Sequence, residues 1–326
     1  MDGAQVTVET PRRLPPHRIA ELAEAHFGEP VEAITAPGGR RRDSVRLHFL
    51  DRTVIASHRR SEARRLREEH LLETLSAHGA PVPEYLGSHE GLIFQSDAGR
   101  DRLTAALTES PADTAFAAIR ALEALRGAAE RAGLNETLAP AGLEPSWLRR
   151  FAKSPLRLSE RLGIESPDYR PGVVIRALTT KERRFFKWDA RPGNGALSER
   201  GVIWFDWEQS GLREGIEDIA ILAADEFWPL SPDTTLEIAR EAGVTVTPML
   251  TRYATFQAAS RLALIFSQKE EAGWVELDAS IHYDYIGAHP DLVTRLAEHG
   301  ANWAAKDDAT APIAPWFENA ARAILG

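Results

Sequence analysis

The sequence predicts a two-lobed α+β protein, with a small antiparallel-sheet unit followed by a larger, mainly helical one. Three observations carry that prediction. The chain before Gly99 reads as three short strands, a helix and two more strands. After Gly99 the apolar pattern becomes almost wholly helical. One β-rich island, residues 183–211, interrupts the helical part. A length of 326 residues exceeds one ordinary core and suits two lobes. The expected boundaries are 1–97 for the first lobe and 98–326 for the second, joined near Gln95–Gly99.

The elements follow in order. PHRIAELAEAHFG places Ile19, Leu22, Ala23 and Phe27 on one helical face and stops at a glycine. A strand ending near Ala36 leads into a turn that holds Pro37, Gly38 and Gly39, and strands over Ser44–Phe49 and Thr53–His58 follow. SEARRLREEHLLETLSAHG is a helix with Leu66, Leu71, Leu72 and Leu75 inward and Gly79 as its stop. Two further strands lie near Tyr85–Ser88 and Leu92–Gln95. Residues 101–163 are helical, with breaks around Pro111, Gly133 to Pro145 and Gly163.

Composition narrows the class. The 43% hydrophobic and 27% charged fractions are those of a globular protein. No apolar run approaches the roughly eighteen residues that span a bilayer, so no membrane partner is expected. MDGAQVTVETPRRLPPHR lacks an apolar segment behind its positive charges and does not read as a secretory signal. With no cysteine, disulfides, thiolate metal sites and cysteine nucleophiles are excluded. A cytoplasmic location is the expectation. The formal net charge of −9 argues against nucleic-acid binding, which needs a basic face. The arginine-rich stretches at 38–46 and 59–67 read as solvated faces. Lysine is confined to Lys153, Lys181, Lys187, Lys269 and Lys306.

The chemistry concentrates in the island RRFFKWDARPGNGALSERGVIWFDWEQSG. Phe185–Trp188 and Val202–Phe205 are apolar enough for short strands. Asp189 follows the first, Asn194 comes five residues later, and Asp206 ends the second. This spacing matches a kinase catalytic loop, D-x-x-x-x-N, followed by a second aspartate after a hairpin. Transfer of a phosphoryl group needs an acceptor hydroxyl held in line and its proton accepted late, which suits Asp189 as base. Magnesium on a triphosphate needs hard-oxygen ligands, which Asn194 and Asp206 supply. Asp-Asn pairs also occur in plain Asx turns. Among the asparagines, only Asn194 has an aspartate five residues before it.

The segment FFKWDARPGNGALSERGVIWFDWEQSG resembles the H-G-D-x-x-x-x-N…I-D-W/F-E segment of the aminoglycoside phosphotransferase and choline kinase superfamily, and APVPEYLG is similar to the family's segment ahead of the hinge. The resemblance covers roughly residues 30–230. It implies a protein-kinase-like fold and transfer of the γ-phosphate of ATP or GTP, with Mg2+, to a hydroxyl of a small molecule. By the same resemblance Gly38 and Gly39 lie over the phosphates, Glu68 is the helix carboxylate that pairs with a strand lysine, Gln95, Ser96 and Asp97 form the hinge that meets the base, and Asp218 supports the loop from behind. Asp225 and Glu226 read either as helix-surface acids or as part of an acceptor pocket that would suit an amine-bearing acceptor. A monomer or homodimer is expected.

Two departures matter. Ser57 stands where the strand lysine belongs, and no lysine precedes Lys153, so His58 or Arg59 is left to contact phosphate. The loop histidine and glycine are Lys187 and Trp188. Alternation along an extended strand puts Lys187 on the same side as Asp189. There it would either neutralise phosphate charge as a catalytic cation or brace the loop. These departures also admit a second function: a relative that binds nucleotide, or a partner, without transferring phosphate.

Overall fold

The computed structural model describes residues 14–36, 44–59, 61–207, 209–283 and 285–326. The chain divides into two compact units. One comprises Met1–Glu73 with Pro83–Asp97, the other Thr74–Val82 with Ala98–Gly326.

The first unit is a five-stranded antiparallel sheet with two helices. The strands are β1 (Ala33–Thr35), β2 (Ser44–His48), β3 (Thr53–His58), β4 (Tyr85–His89) and β5 (Leu92–Ser96). Their spatial order is β1-β2-β3-β5-β4. Helix α1 (Pro16–Phe27) begins on a proline and ends at Gly28, whose φ of 74° supplies the left-handed turn that stops a helix. The α1 residues Ile19, Leu22 and Ala23 pack with Val45, Leu47, Val54, Ala56, Leu92 and Phe94. Strand residues alternate faces, so one side of the sheet is apolar and covered by α1. The other side carries Ser44, Arg46, Ile55, Ser57 and Gln95.

Helix α2 (Glu62–Ala77) buries Leu71, Leu72 and Leu75 completely. Leu66, expected inward, is instead 51% exposed. At 3.6 residues per turn it lies roughly half a turn round the helix from Leu75. Glu68, seven residues before Leu75, returns to the buried side and is 1% exposed. The chain after α2 groups with the second unit, where Arg131 donates to the His78 carbonyl and the Trp204 N–H to the Pro81 carbonyl.

The second unit is helical around two small ribbons. Helices α3 (Leu103–Glu109) and α4 (Pro111–Arg131) open it, and the helix Pro248–Ala272 runs through its core. Strand β6 (Arg184–Phe186) pairs antiparallel with β9 (Gly211–Arg213), and β7 (Gly195–Ser198) with β8 (Gly201–Trp204). Gly211 is required where it stands: a Cβ there would come within 2.5 Å of the Ala141 side chain. Trp204, Trp207, Trp228, Trp303 and Trp316 are core residues, whereas Trp274 is 38% exposed. Among the described residues no helix is long and apolar enough to cross a membrane.

Candidate active site

The β6–β9 and β7–β8 ribbons bring the three chemical residues of the island together. Strand β6 stops at Phe186, earlier than the apolar run suggests. The backbone N–H groups of Lys187 and Trp188 then both donate to the carboxylate of Asp218, at 2.8 and 2.9 Å. Those bonds hold Trp188 at a φ of 74°, and Asp206 lies at 67°. Such left-handed backbone in non-glycine residues costs on the order of 1–3 kcal/mol each and persists only where the surroundings impose it. The Trp188 ring lies against Gly142, where a Cβ would meet it at 2.8 Å. Asp218 is fully buried, and burial pushes its carboxyl up to about 7 against the pull of the Arg126 and Lys187 cations.

Asp189 emerges from this turn with both oxygens engaged. Its Oδ1 accepts from Arg191 Nε at 3.0 Å, and its Oδ2 accepts from Asn194 Nδ2 at 2.7 Å. The same Nδ2 also donates to the Asp189 carbonyl at 2.9 Å. The turn Pro192–Asn194 is one 3-10 turn, which doubles the loop back as the Pro-Gly pair suggests. Burial disfavours the charged form of Asp189. The Arg191 and Lys187 cations and the two hydrogen bonds outweigh it and hold the carboxyl below its ordinary value. The Phe205 N–H donates to the Asn194 carbonyl at 3.1 Å, which ties the loop to the segment that bears Asp206.

Lys187 does not take the place that strand alternation assigns it. The left-handed Trp188 breaks the extended run, and the Lys187 side chain turns inward and is fully buried. Its ammonium donates to the carbonyls of Asp189, at 3.1 Å, and Asp206, at 3.0 Å, and lies 5.0 Å from the centre of the Trp207 ring. Burial lowers its pKa against the pull of Asp189, Asp206 and Asp218. Of the two roles the sequence leaves open, this geometry is that of the brace.

The first unit holds the remaining sequence-derived residues. Gly38 and Gly39 lie outside the described residues. Ser57 is 2% exposed and shares a hydrogen bond with Ser44 across β2 and β3 at 2.8 Å. The partner of Glu68 is Arg59, whose Nη2 donates to Oε1 at 2.7 Å while Nε donates to Oε2. An arginine two residues past the strand-lysine position therefore supplies the cation. Gln95 is 7% exposed. Ser96 Oγ accepts from the Glu84 N–H at 2.8 Å. The Asp97 carboxylate accepts a bidentate pair from Arg46, at 2.5 and 2.9 Å, and a third bond from Thr53 at 2.8 Å.

Asp225 and Glu226 are not helix-surface acids: they are 2% and 0% exposed. Arg261 forks onto Glu226, with its Nε at 2.7 Å from Oε2, and Arg295 Nη2 donates to the Glu226 carbonyl at 2.8 Å. Burial and the neighbouring Glu226 push Asp225 up to about 7, while Arg261 and its hydrogen bonds hold Glu226 down. An arginine neutralises this acid pair from within. Sequence reasoning missed Arg191, the direct partner of Asp189. Its signal was available, a cation two residues beyond the proposed base inside a loop that must turn back.

No protein-family model and no curated protein matches the chain. Solved structures do. A choline/ethanolamine kinase family protein from Mesorhizobium loti aligns over 95% of this chain and 99% of its own, with a TM-score of 0.55 and 14% identity. An amicoumacin kinase, solved with AMP-PNP, Ca2+ and its antibiotic, aligns over 84% and 92%, with a TM-score of 0.57 and 14% identity. A spectinomycin phosphotransferase in complex with ADP and spectinomycin aligns over 85% and 97%, with a TM-score of 0.55 and 10% identity. At such identities the likeness is one of fold. The chain has the α+β fold of these phosphotransferases, with a small antiparallel sheet and a larger helical part.

Proposed function

We propose that this protein transfers the γ-phosphoryl group of a nucleoside triphosphate to a hydroxyl of a small molecule. The observation that carries the proposal is the disposition of Asp189. Its carboxylate is held ionised and aimed by Arg191 and Asn194, beside the segment bearing Asp206. A base that accepts a proton late in a loose phosphoryl transfer needs orientation more than strength, and two hydrogen bonds to two different oxygens provide it.

The donor set fits magnesium. Asn194 commits its Nδ2 to Asp189, which leaves its amide oxygen to face a cation, and Asp206 adds a carboxylate. Among the described residues no cluster of three or more histidines and carboxylates forms a closed metal cage. Two protein oxygens, completed by phosphate and water, are the usual arrangement for Mg2+. Bound there, the ion would neutralise charge on the phosphate oxygens. Asp189 orients the acceptor hydroxyl and takes its proton as the new oxygen–phosphorus bond forms. The bond to the bridging oxygen breaks, and the nucleoside diphosphate leaves with that electron pair. Arg191 keeps Asp189 charged until the proton arrives. Lys187 holds the carbonyls of Asp189 and Asp206 to one point and so fixes the two segments relative to each other. The Arg59–Glu68 pair supports a role for Arg59 as the cation that would meet the α and β phosphates in lieu of a strand lysine.

The test is Asp189→Asn, assayed for ATP or GTP consumption against a library of hydroxyl-bearing metabolites and antibiotics. We expect transfer to fall by about a thousandfold, within the range for loss of a general base, with Mg-nucleotide binding retained. Wild-type turnover by that variant would overturn the assignment. Nucleotide binding without transfer to any acceptor in the wild-type protein would support the non-catalytic reading, whose motivation is Ser57.

A further inference from the structure

We infer that a cavity in the second unit, separate from the Asp189 site, binds a small zwitterion of the amino-acid type, and that its occupancy firms the loop that bears Asp189. Neither half of the inference needs phosphoryl transfer.

The cavity lies between α4, the segment 179–184, the segment 214–216 and the loop 243–247, and has a volume of about 500 Å³. That is within the range of small-molecule sites. None of Asp189, Arg191, Asn194 and Asp206 lines it. Ile216 and Val244, both buried, form its apolar part, and most of the remaining wall is charged or hydroxyl-bearing.

Charge of both signs is left unanswered on that wall. Glu214 is the first case. Its Oε1 accepts from the Thr247 hydroxyl, and no described residue donates to its other oxygen. Burial, with Glu217 and Glu182 nearby, pushes its carboxyl above the ordinary value despite the Thr247 bond. Arg213, its neighbour in the chain, is fully buried and gives its donors to Glu217 and to the Gly142 and Leu178 carbonyls. A ligand ammonium would supply the direct cation contact that Glu214 lacks. Lys181 and Arg184 are the second case. Both are exposed, both line the cavity, and neither makes an ion pair among the described residues. The third cation of the wall, Arg126, is already committed, with Nη2 on Glu123 and Nη1 on the Gly215 carbonyl. A ligand acid group would be met by Lys181 and Arg184. A simple anion leaves the charge at Glu214 unmet, and a simple amine leaves the two cations unmet. One small molecule with an ammonium at one end and an acid group at the other answers both.

The segment 214–216 also supports the loop. The Gly215 carbonyl accepts from Arg126 at 2.8 Å and from the Asp218 N–H at 3.3 Å, and the Asp218 carboxylate holds the N–H groups of Lys187 and Trp188. Gly215 has no slack, since a Cβ there would come within 2.9 Å of the Arg126 side chain and 3.1 Å of the Phe185 carbonyl. A ligand that holds Glu214 holds the residue before Gly215, and so the segment that presents Asp218.

The test is calorimetric titration of the whole protein, at neutral pH, with the protein amino acids and their straight-chain ω-amino analogues. We expect at least one to bind with a Kd of about 1 mM or tighter. The amine and the carboxylic acid that each lack one of its charges should bind about tenfold more weakly or worse, the scale of a lost bond to a charged group. Glu214→Gln, which keeps an acceptor for Thr247, and Arg184→Gln should each weaken the zwitterion about tenfold or more. At saturation, amide hydrogen exchange at Lys187 and Trp188 should slow by about threefold or more. Failure of every zwitterion to reach that affinity, equal binding of the single-charge analogues, or wild-type affinity in either folded variant would overturn the site. Binding with unchanged exchange at the two amides would overturn the hold on the loop. None of these measurements reads transfer, so each outcome leaves the proposal for Asp189 to its own test.

Discussion

The two units solve their chemical problems in opposite ways. In the second unit the proposed base Asp189, the proposed metal ligands Asn194 and Asp206, and Asp218 lie within thirty residues of chain, at the spacings a kinase loop requires. In the first unit the expected lysine is absent, a serine pairs with another serine at its position, and the Glu68 carboxylate is met by Arg59. The difference follows from what each problem demands. A proton acceptor and a hard-oxygen metal site depend on particular atoms within a few tenths of an ångström. Holding the charge of a phosphate chain requires a cation of suitable reach, and a guanidinium on a different residue can supply it.

Four variants would break or sharpen that contrast, in order of expected effect. Asp206→Ala should remove transfer by about a thousandfold or more, since the metal's contribution to phosphoryl transfer is several kcal/mol. The comparison fails if a folded Asp206→Ala protein retains more than a few per cent of wild-type turnover. Arg59→Ala leaves Glu68, 1% exposed, as a buried charge without its principal cation. It should destabilise the protein by about 3 kcal/mol or more in urea unfolding and weaken nucleotide binding. Unfolding at the wild-type midpoint would show that this pair contributes nothing. Lys187→Met should lower kcat about a hundredfold with nucleotide affinity little changed, because it disturbs the relation of Asp189 to Asp206 and not the first unit. An equal loss in nucleotide affinity would move Lys187 out of the positioning role.

The smallest effect concerns Asp225 and depends on pH. Its folded pKa is raised to about 7, well above the ordinary carboxyl value, so the folded state binds the proton more tightly than the unfolded chain does. The stability this lends is present in full below about pH 4 and is lost as pH rises through 7. Asp225→Asn has no such titration. Its melting temperature should match the wild type near pH 4.5 and exceed it by a few degrees at pH 8, as followed by calorimetry. A lower melting temperature at pH 8 would mean that the ionised carboxylate is fully compensated by Arg261.

What the sequence made legible follows the range over which each signal acts. The strands Ser44–His48 and Thr53–His58, the helices and the Asp-x4-Asn loop are local patterns, and the structure contains them with end shifts of one or two residues. Lys187 was misplaced because its direction depends on Asp218, thirty-one residues away, which grips two successive N–H groups and turns the backbone left-handed. Leu66 is apolar but stands about half a turn of helix from Leu75, so residue type and helical angle disagree there and the angle decides its exposure. The Arg59–Glu68 and Arg46–Asp97 pairs could not be read from spacing, since each depends on which sheet face meets which neighbour.

The absence of lysine from the whole first unit has a practical consequence. Nucleotide analogues that carry an amine-reactive acyl group mark kinase-like proteins by acylating a lysine held against the phosphates. Here the residue proposed for that duty, Arg59, is a guanidinium, which stays protonated and does not act as a nucleophile at neutral pH. Lys187, two residues before the proposed base Asp189, is sealed in the interior with its ammonium donating to two carbonyls. If the chain binds nucleotide as proposed, surveys made with such reagents would pass over it, and a Ser57→Lys protein would make it visible to them.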